Sequence, residues 1–264
     1  MTTIHPNNSN ATGQLLANKV ALITGASRGI GAAAAKQFAL EGATVTLVAR
    51  TESDLRKVVD EITAEGGSAD YVIADLADAK SIEQAVQTTV ERHGRLDIAF
   101  NNAGIAIGLS PMIDEKEENF DLNHSVNYKG VWLSMIAEIK AILSTAGSGA
   151  IVNNSSVGSF RGNPGLAAYG AAKRAVNSLT ETAAIEYGPM GIRVNAVAPG
   201  TTMTEMIQRW VSQDPTILEK LNSITPLRRA ADPNEVAQAA AWLLSDRASY
   251  VTGVVLPVDG GARA

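Results

Sequence analysis

The chain contains no cysteine. Disulfides, thiolate nucleophiles and cysteine-ligated zinc are therefore excluded from the start. Histidine is almost as scarce. His5, His93 and His124 stand far apart, so a zinc centre built on histidine and cysteine lacks its ligands, and no metal is expected. No run of lysine or arginine interrupts a formal net charge of −5 and a pI near 5.3, which argues against a nucleic-acid partner. No apolar stretch is long enough to span a bilayer, and residues 1–18 lack a basic start followed by an apolar block. A cytoplasmic protein with no membrane partner is the expectation.

At 264 residues the chain is long for one domain, yet doubly wound α/β sheets reach this size as a single unit. Residues 1–14 read as a flexible tail, rich in Asn, Thr and Ser over 2–12. From residue 15 to 264 one domain is expected. Short apolar and β-branched runs at 20–24, 44–49, 69–73, 96–101, 150–154, 192–197 and 253–258 alternate with helical patterns. About seven parallel strands follow, in a single-domain, Rossmann-like, doubly wound sheet with helices on both faces. Helix starts are marked by Ser53, by Ala79 to Ser81, and by Asp232-Pro233. No repeat, charge block or linker divides the chain. Residues 201–229, punctuated by Pro215 and Pro226, form the expected substrate lid of two short helices.

Gly25, Gly29 and Gly31 lie in Thr24-Gly-Ala-Ser-Arg-Gly-Ile-Gly31, between an apolar strand and an Ala-rich helix. Missing side chains there let backbone N–H groups approach a pyrophosphate, and the helix dipole favours the same anion. Ser27, Arg28 and Ile30 complete the cofactor contacts expected of this turn. Gly25-Ala-Ser27-Arg-Gly29 also fits a G-x-S-x-G nucleophile elbow. A serine hydrolase is disfavoured, because an elbow normally follows several strands and no histidine stands in an evident partner loop. At the end of the second strand an acid would pair with an adenosine ribose; the chain has Ala49 and Arg50 instead. Arg28 and Arg50 suit a 2′-phosphate, which favours NADP(H) over NAD(H). The plainer alternative is that Arg50 opens the solvated face of the next helix.

Tyr169 and Lys173, at i and i+4 of a predicted helix, share one face. An ammonium near the phenol favours phenolate and can lower its pKa, so the phenol can exchange a proton with a carbonyl or an alcohol. Ser156, at the carboxyl edge of the strand ending in Asn153-Asn154, is placed to orient the reacting oxygen. Strand alternation points Ser155 to the other side.

With these residues in order, the chain resembles the short-chain dehydrogenase/reductase family from residue 15 to 262. The resemblance is carried by the 24–31 turn, Asn101-Asn-Ala-Gly104, Asn127, Asn153-Asn-Ser-Ser156, Tyr169 to Lys173, Arg193-Val-Asn195, Pro199-Gly200 and Val258-Asp-Gly-Gly261. It implies a tetrad of Asn127, Ser156, Tyr169 and Lys173, in which Asn127 fixes a water that links Lys173 to solvent. Tyr169 and Lys173 would also contact the cofactor, Lys173 at the nicotinamide ribose. Asp75 and Leu76 would lie near adenine, Asn102, Ala103 and Gly104 on the adenosine side, and Pro199, Gly200, Thr202 and Thr204 at the nicotinamide end. Thr202 stands where the family usually carries an aliphatic residue. Outside the family, Asn127 reads as a helix kink or cap, and Asn102 as a brace between strand and helix.

The reading is NADPH-dependent reduction of a ketone or aldehyde to an alcohol, reversible, with tyrosine as the general acid and base. An NAD(P)-binding sensor or scaffold without catalysis is the alternative; intact Ser156, Tyr169 and Lys173 argue against it. The resemblance also implies a homotetramer contacting through helices at 119–143 and 167–187 and through the last strand. A small, apolar, uncharged substrate is suggested by Phe160, Met203, Met206 and Trp210. Ile207, Leu218 and Leu221 extend the same stripe, divided between lid lining and core.

Overall fold

The computed structural model describes residues 13–107 and 109–264, so the expected tail, up to residue 12, and His5 lie outside the described residues. Gln14, at the end of that tail, donates its side-chain amide to the Leu40 carbonyl at 2.8 Å. In chain order the elements are β1 (Val20–Thr24), α1 (Gly29–Leu40), β2 (Thr44–Ala49), α2 (Glu52–Ala64), β3 (Ser68–Ile73) and α3 (Ala79–His93). They continue as β4 (Ile98–Asn101), α4 (Glu117–His124), α5 (Val131–Thr145), β5 (Gly149–Asn154), α6 (Ala167–Tyr187) and β6 (Ile192–Pro199). The chain closes with α7 (Glu205–Gln213), α8 (Ile217–Ser223), α9 (Pro233–Leu244) and β7 (Val255–Val258).

The seven strands form one parallel sheet in the order β3-β2-β1-β4-β5-β6-β7. This is the doubly wound, Rossmann-like architecture expected. The order reverses between β1 and β4, which opens a crevice at their carboxyl ends.

Alternation along the central strands decides which helix covers which face. Ala21, Ile23, Ile98, Phe100, Ala150 and Val152 pack with α1, α2 and α9 in one buried cluster. Leu22, Ala99 and Ile151 face the other way, with α3, α5 and α6. Each fully buried Leu, Ile or Phe side chain contributes about 1.5–3 kcal/mol relative to an exposed one. The small residues Ala34 and Ala35 of α1 and Ala237, Ala240 and Ala241 of α9 are fully buried, which lets these two helices pack closely over the sheet.

Three local expectations change. Leu96 does not begin β4, because its N–H takes the Thr145 hydroxyl at 3.1 Å rather than a strand neighbour. Gly253 precedes β7 in a left-handed turn, at φ +77°. The helix expected over 119–143 is two helices joined by a π-helical turn at Ser125–Gly130, with Asn127 inside the turn. A side chain at Gly130 would come within 2.7 Å of the Leu76 carbonyl oxygen, so the chain passes flush against the loop after β3.

Behind the carboxyl ends of β4 and β5 lies a buried polar row. The Asn101 side-chain amide donates to Glu138 at 2.9 Å and to the Asn153 side-chain oxygen at 3.1 Å, and the Asn153 amide donates to Thr180 at 2.9 Å. Glu138 is fully buried, and its second oxygen has no partner beside a small cavity that Ser134 and Thr24 also line. Burial pushes its carboxyl from 4.5 up to about 8, opposed by the Asn101 amide. The folded chain therefore holds a proton that the unfolded chain releases, and this contribution is full below pH 4.5 and lost as pH rises through about 8. The melting temperature is expected to fall between pH 5 and pH 8, with a flatter profile in Glu138→Gln, which keeps the neutral shape. Parallel profiles in thermal melts would rule Glu138 out as the responsible group.

Candidate functional site

The crevice is built on the turn after β1. Gly25 adopts φ +64°, and a side chain there would lie 2.7 Å from the Ala103 Cα. At Gly31 a side chain would collide with the Gly25 carbonyl oxygen. Glycine at both positions lets α1 begin directly against the turn. The residue before α1, Arg28, is extended and offers no side-chain cap, and the first turn carries no acid. Its N–H groups form a cradle suited to an anion such as a dinucleotide pyrophosphate. Ser27 and Ile30 of the turn are half-buried.

Asn102 joins three strand ends. Its amide donates to the Thr24 and Gly25 carbonyls at 3.0 and 3.2 Å, and its carbonyl oxygen accepts from the Asn154 amide at 2.9 Å. Ala103 N–H adds a bond to the Thr24 hydroxyl at 3.1 Å. The brace is thus present in the geometry. Asn154, which ends β5, does more than pair in the sheet. Its carbonyl receives Lys173 Nζ at 2.6 Å, while its side chain reaches Asn102. The matched Asn-Asn pairs ending β4 and β5 were the available signal.

Tyr169 and Lys173 lie in the first two turns of α6 and face the crevice together, with Nζ 5.7 Å from the centre of the phenol ring. Lys173 is only 2 % exposed, and burial brings its ammonium down from 10.5 to about 8. Burial raises the Tyr169 phenol, and a hydrogen bond with the Ser156 hydroxyl opposes that rise. The expectation that the lysine lowers the phenol is corrected for the free chain. Loss of water at the buried phenol is the larger effect, while the ammonium turns to the Asn154 carbonyl.

Ser156 ends in the crevice, where its oxygen also accepts from Gly158 N–H at 3.1 Å. Ser155 points away, as alternation required, donating to the Asn177 side-chain oxygen at 2.5 Å, with the Lys173 carbonyl 3.2 Å from the same hydroxyl. Asn127 is fully buried and clamps the Ile105 backbone with two bonds of 2.8 Å. Its carbonyl oxygen and Lys173 Nζ flank Gly104, at 3.0 and 3.3 Å from where a Cβ would stand.

On the adenosine side, exposed Arg50 approaches Asp75 at 3.9 Å, and Arg28 is exposed above the turn. Asp75 caps its own loop through the Ala77 N–H at 3.0 Å, and Leu76 is buried beneath it. At the other end, Pro199 closes β6 and Gly200 N–H donates to the Val258 carbonyl at 3.0 Å. Thr202 is buried, bridged to Ala231, with its hydroxyl donating to the Gly200 carbonyl at 3.2 Å. Thr204 reaches back over Gly29, at 3.1 Å from the position of a Cβ there. The positions expected at the two ends of a dinucleotide therefore border one crevice.

Among the described residues no histidine completes the elbow geometry of a hydrolase. His93 ends α3 and pairs with Asp70 at 3.0 Å, toward the amino edge of the sheet, whereas Ser27 lies at the carboxyl edge. His124 stacks on Phe120 and meets the Tyr128 ring edge-on. Among the described residues no group of three or more His, Asp or Glu is placed to hold a metal, and no helix is long and apolar enough to cross a membrane.

A family model described as enoyl-(acyl carrier protein) reductase matches residues 25–263. An A-factor type γ-butyrolactone 1′-reductase (1S-forming) of Streptomyces virginiae is 48% identical over 247 residues, covering 94% of this chain and 96% of the relative. The crystal structure of levodione reductase superposes with a TM-score of 0.90 at 38% identity, over 93% of this chain and 98% of that one. A solved structure from Beutenbergia cavernae, with NADP bound at low occupancy, gives a TM-score of 0.88 at 37% identity over 94% and 97% of the two chains. Matches of this length, joined to the seven-stranded sheet and the crevice at its carboxyl edge, show that the chain belongs to the short-chain dehydrogenase/reductase family of oxidoreductases.

Proposed function

We propose that the protein is an NADPH-dependent carbonyl reductase, reversible as an alcohol dehydrogenase, in which Tyr169 is the general acid and base. The observation that carries the reading is the convergence of the Ser156 hydroxyl, the Tyr169 phenol and the Lys173 ammonium beside a glycine cradle fitted to a dinucleotide. When bound, the nicotinamide supplies or accepts the hydride. Ser156 holds the substrate oxygen, and Tyr169 Oη delivers a proton to it in reduction or removes one in oxidation. Lys173 keeps its ammonium below pH about 8, which makes proton loss at Tyr169 less costly. Lys173 and Tyr169 would also hold the nicotinamide ribose. Asn127 keeps the loop at Gly104 and Ile105 closed around the ammonium, and we assign it the water that links Lys173 to solvent.

Arg28 and Arg50 support NADP(H), since two exposed guanidinium groups and no acid at the end of β2 suit a 2′-phosphate. The Beutenbergia cavernae relative, described as NAD(P) dependent, holds NADP, so a crevice of this kind admits a 2′-phosphate. Residues 201–229 are assigned as the substrate lid: Met203, Met206, Trp210, Leu218 and Leu221 are half-buried along its inner side, and Ile207 is buried. That lining suits a small, uncharged ketone, and the Streptomyces relative points to one attached to a lactone ring. Exposed Phe120, Leu122 and Trp132 on α4 and α5, with β7 at the open edge of the sheet, support the homotetramer. We place the enzyme in the cytoplasm.

Purified protein is expected to oxidise NADPH with members of a ketone panel that includes keto-lactones, and Tyr169→Phe to lose about 10²–10⁴-fold in kcat with retained NADPH binding. Full activity in that variant, or no turnover across the panel, would reject the reading. In wild type, kcat/KM for reduction should decline as pH rises through about 8, as Lys173 loses its proton; Lys173→Arg, which keeps its charge, should lack that decline. Arg50→Asp should shift the NADPH/NADH preference toward NADH by about 10–100-fold, the worth of one lost charge-assisted contact. An unchanged ratio removes Arg50 from cofactor selection.

A further inference from the structure

The last six residues form a turn that packs against three neighbouring segments. Asp259 organises it, its carboxylate accepting from the Gly261 and Arg263 N–H groups at 2.9 Å each. On one side the Asp259 backbone lies against Gly200, where a Cβ would come within 2.8 Å of the Asp259 Cα. On another, Gly260 and Gly261 pack against Thr225, Pro226 and Leu227 at the end of the 201–229 segment, and Leu227 N–H donates to the Gly260 carbonyl at 3.1 Å. On the third, Arg263 lays its guanidinium over Phe160, 3.6 Å from the ring centre. Phe160 closes the short 3₁₀ turn that follows Ser156, through its N–H to the Val157 carbonyl at 3.1 Å.

Arg263 is exposed, and the Phe160 ring is its side chain's one contact among the described residues. Among the described residues its side chain makes no ion pair and no hydrogen bond, and the nearby carboxylate of Asp259 is spent on backbone N–H groups. Stacking uses only the face of a guanidinium. Its N–H groups radiate in the plane and remain available to an acceptor, while the ring fixes the plane and reduces the entropy lost on binding. A cation with unused donors, held in place at the junction of the Ser156 loop, the Gly200 edge and the lid segment, is a recognition element in search of an oxygen. The half-buried Met, Trp and Leu residues assigned to the lid favour an uncharged substrate, so the acceptor is taken to be a neutral oxygen.

Resting on the carbonyl-reductase reading above, we infer that Arg263, steadied by Phe160, determines specificity by donating to the ring carbonyl or ring oxygen of a keto-lactone, while the ketone itself faces Ser156 and Tyr169. No covalent step is added. The residue acts on substrate binding alone.

The test compares two ketones of similar shape with NADPH: 2-acetyl-γ-butyrolactone, and cyclopentyl methyl ketone, which lacks the ester. In Arg263→Met the KM for the lactone is expected to rise about 10–100-fold with kcat retained, the loss of one hydrogen bond to a charged group. The carbocyclic ketone should be reduced as by wild type, and Arg263→Lys should recover part of the lactone affinity. Equal losses on both ketones would mean that Arg263 only supports the fold, and unchanged lactone KM would mean that it touches no substrate. Either result overturns the inference, as does a wild type that reduces other ketones but not the lactone. Failure of wild type with every ketone overturns the carbonyl-reductase reading instead.

Discussion

The side chain of Asn102 is the tie on which the site depends. By donating to the end of β1 and accepting from the end of β5, it holds three strand ends in one arrangement across the point where the sheet order reverses. Two consequences follow from that tie. The Gly25 turn is fixed at the amino end of α1, and the Asn154 carbonyl is fixed where Lys173 can reach it. Replacing the amide would leave buried carbonyl and amide groups without partners, each costing about 1–3 kcal/mol. One residue therefore couples the glycine turn before α1 to the Tyr169–Lys173 pair.

Exclusion of water is the second theme. Tyr169, Lys173 and Glu138 are all shifted by burial toward their uncharged forms, up for the phenol and the acid, down for the ammonium. In such surroundings a single dipole has a large effect. Ser156 moderates the phenol, and the Asn154 carbonyl gives the ammonium a partner without neutralising it. Glu138 belongs to the layer behind, where Asn101, Asn153 and Thr180 keep the strand ends in register from the other face of the sheet.

The repeating elements were legible because parallel, doubly covered strands read as apolar β-branched runs, and the bounds of β1, β2 and α6 match the pattern in the chain. The π-helical turn at Ser125–Gly130 was not, since an apolar helical period runs through it without a break; the close pass of Gly130 against Leu76 and the clamp of Asn127 on Ile105 are contacts between distant segments. Nor could the spacing of Tyr169 and Lys173 reveal that the ammonium turns to Asn154. The contact of Arg263 with Phe160 joins segments from opposite ends of the catalytic half and has no local signature at all.

Order along the chain was enough to determine the sheet, the glycine cradle and the pairing of a phenol with an ammonium, because each rests on short-range periodicity or on the stereochemistry of a few adjacent residues. Folding alone decided the strand order's consequences: which asparagine braces which strand, in which direction burial moves the two ionisable groups, and which ring Arg263 lies over. Those properties depend on distance and on exclusion of water, and both arise only when remote segments come together.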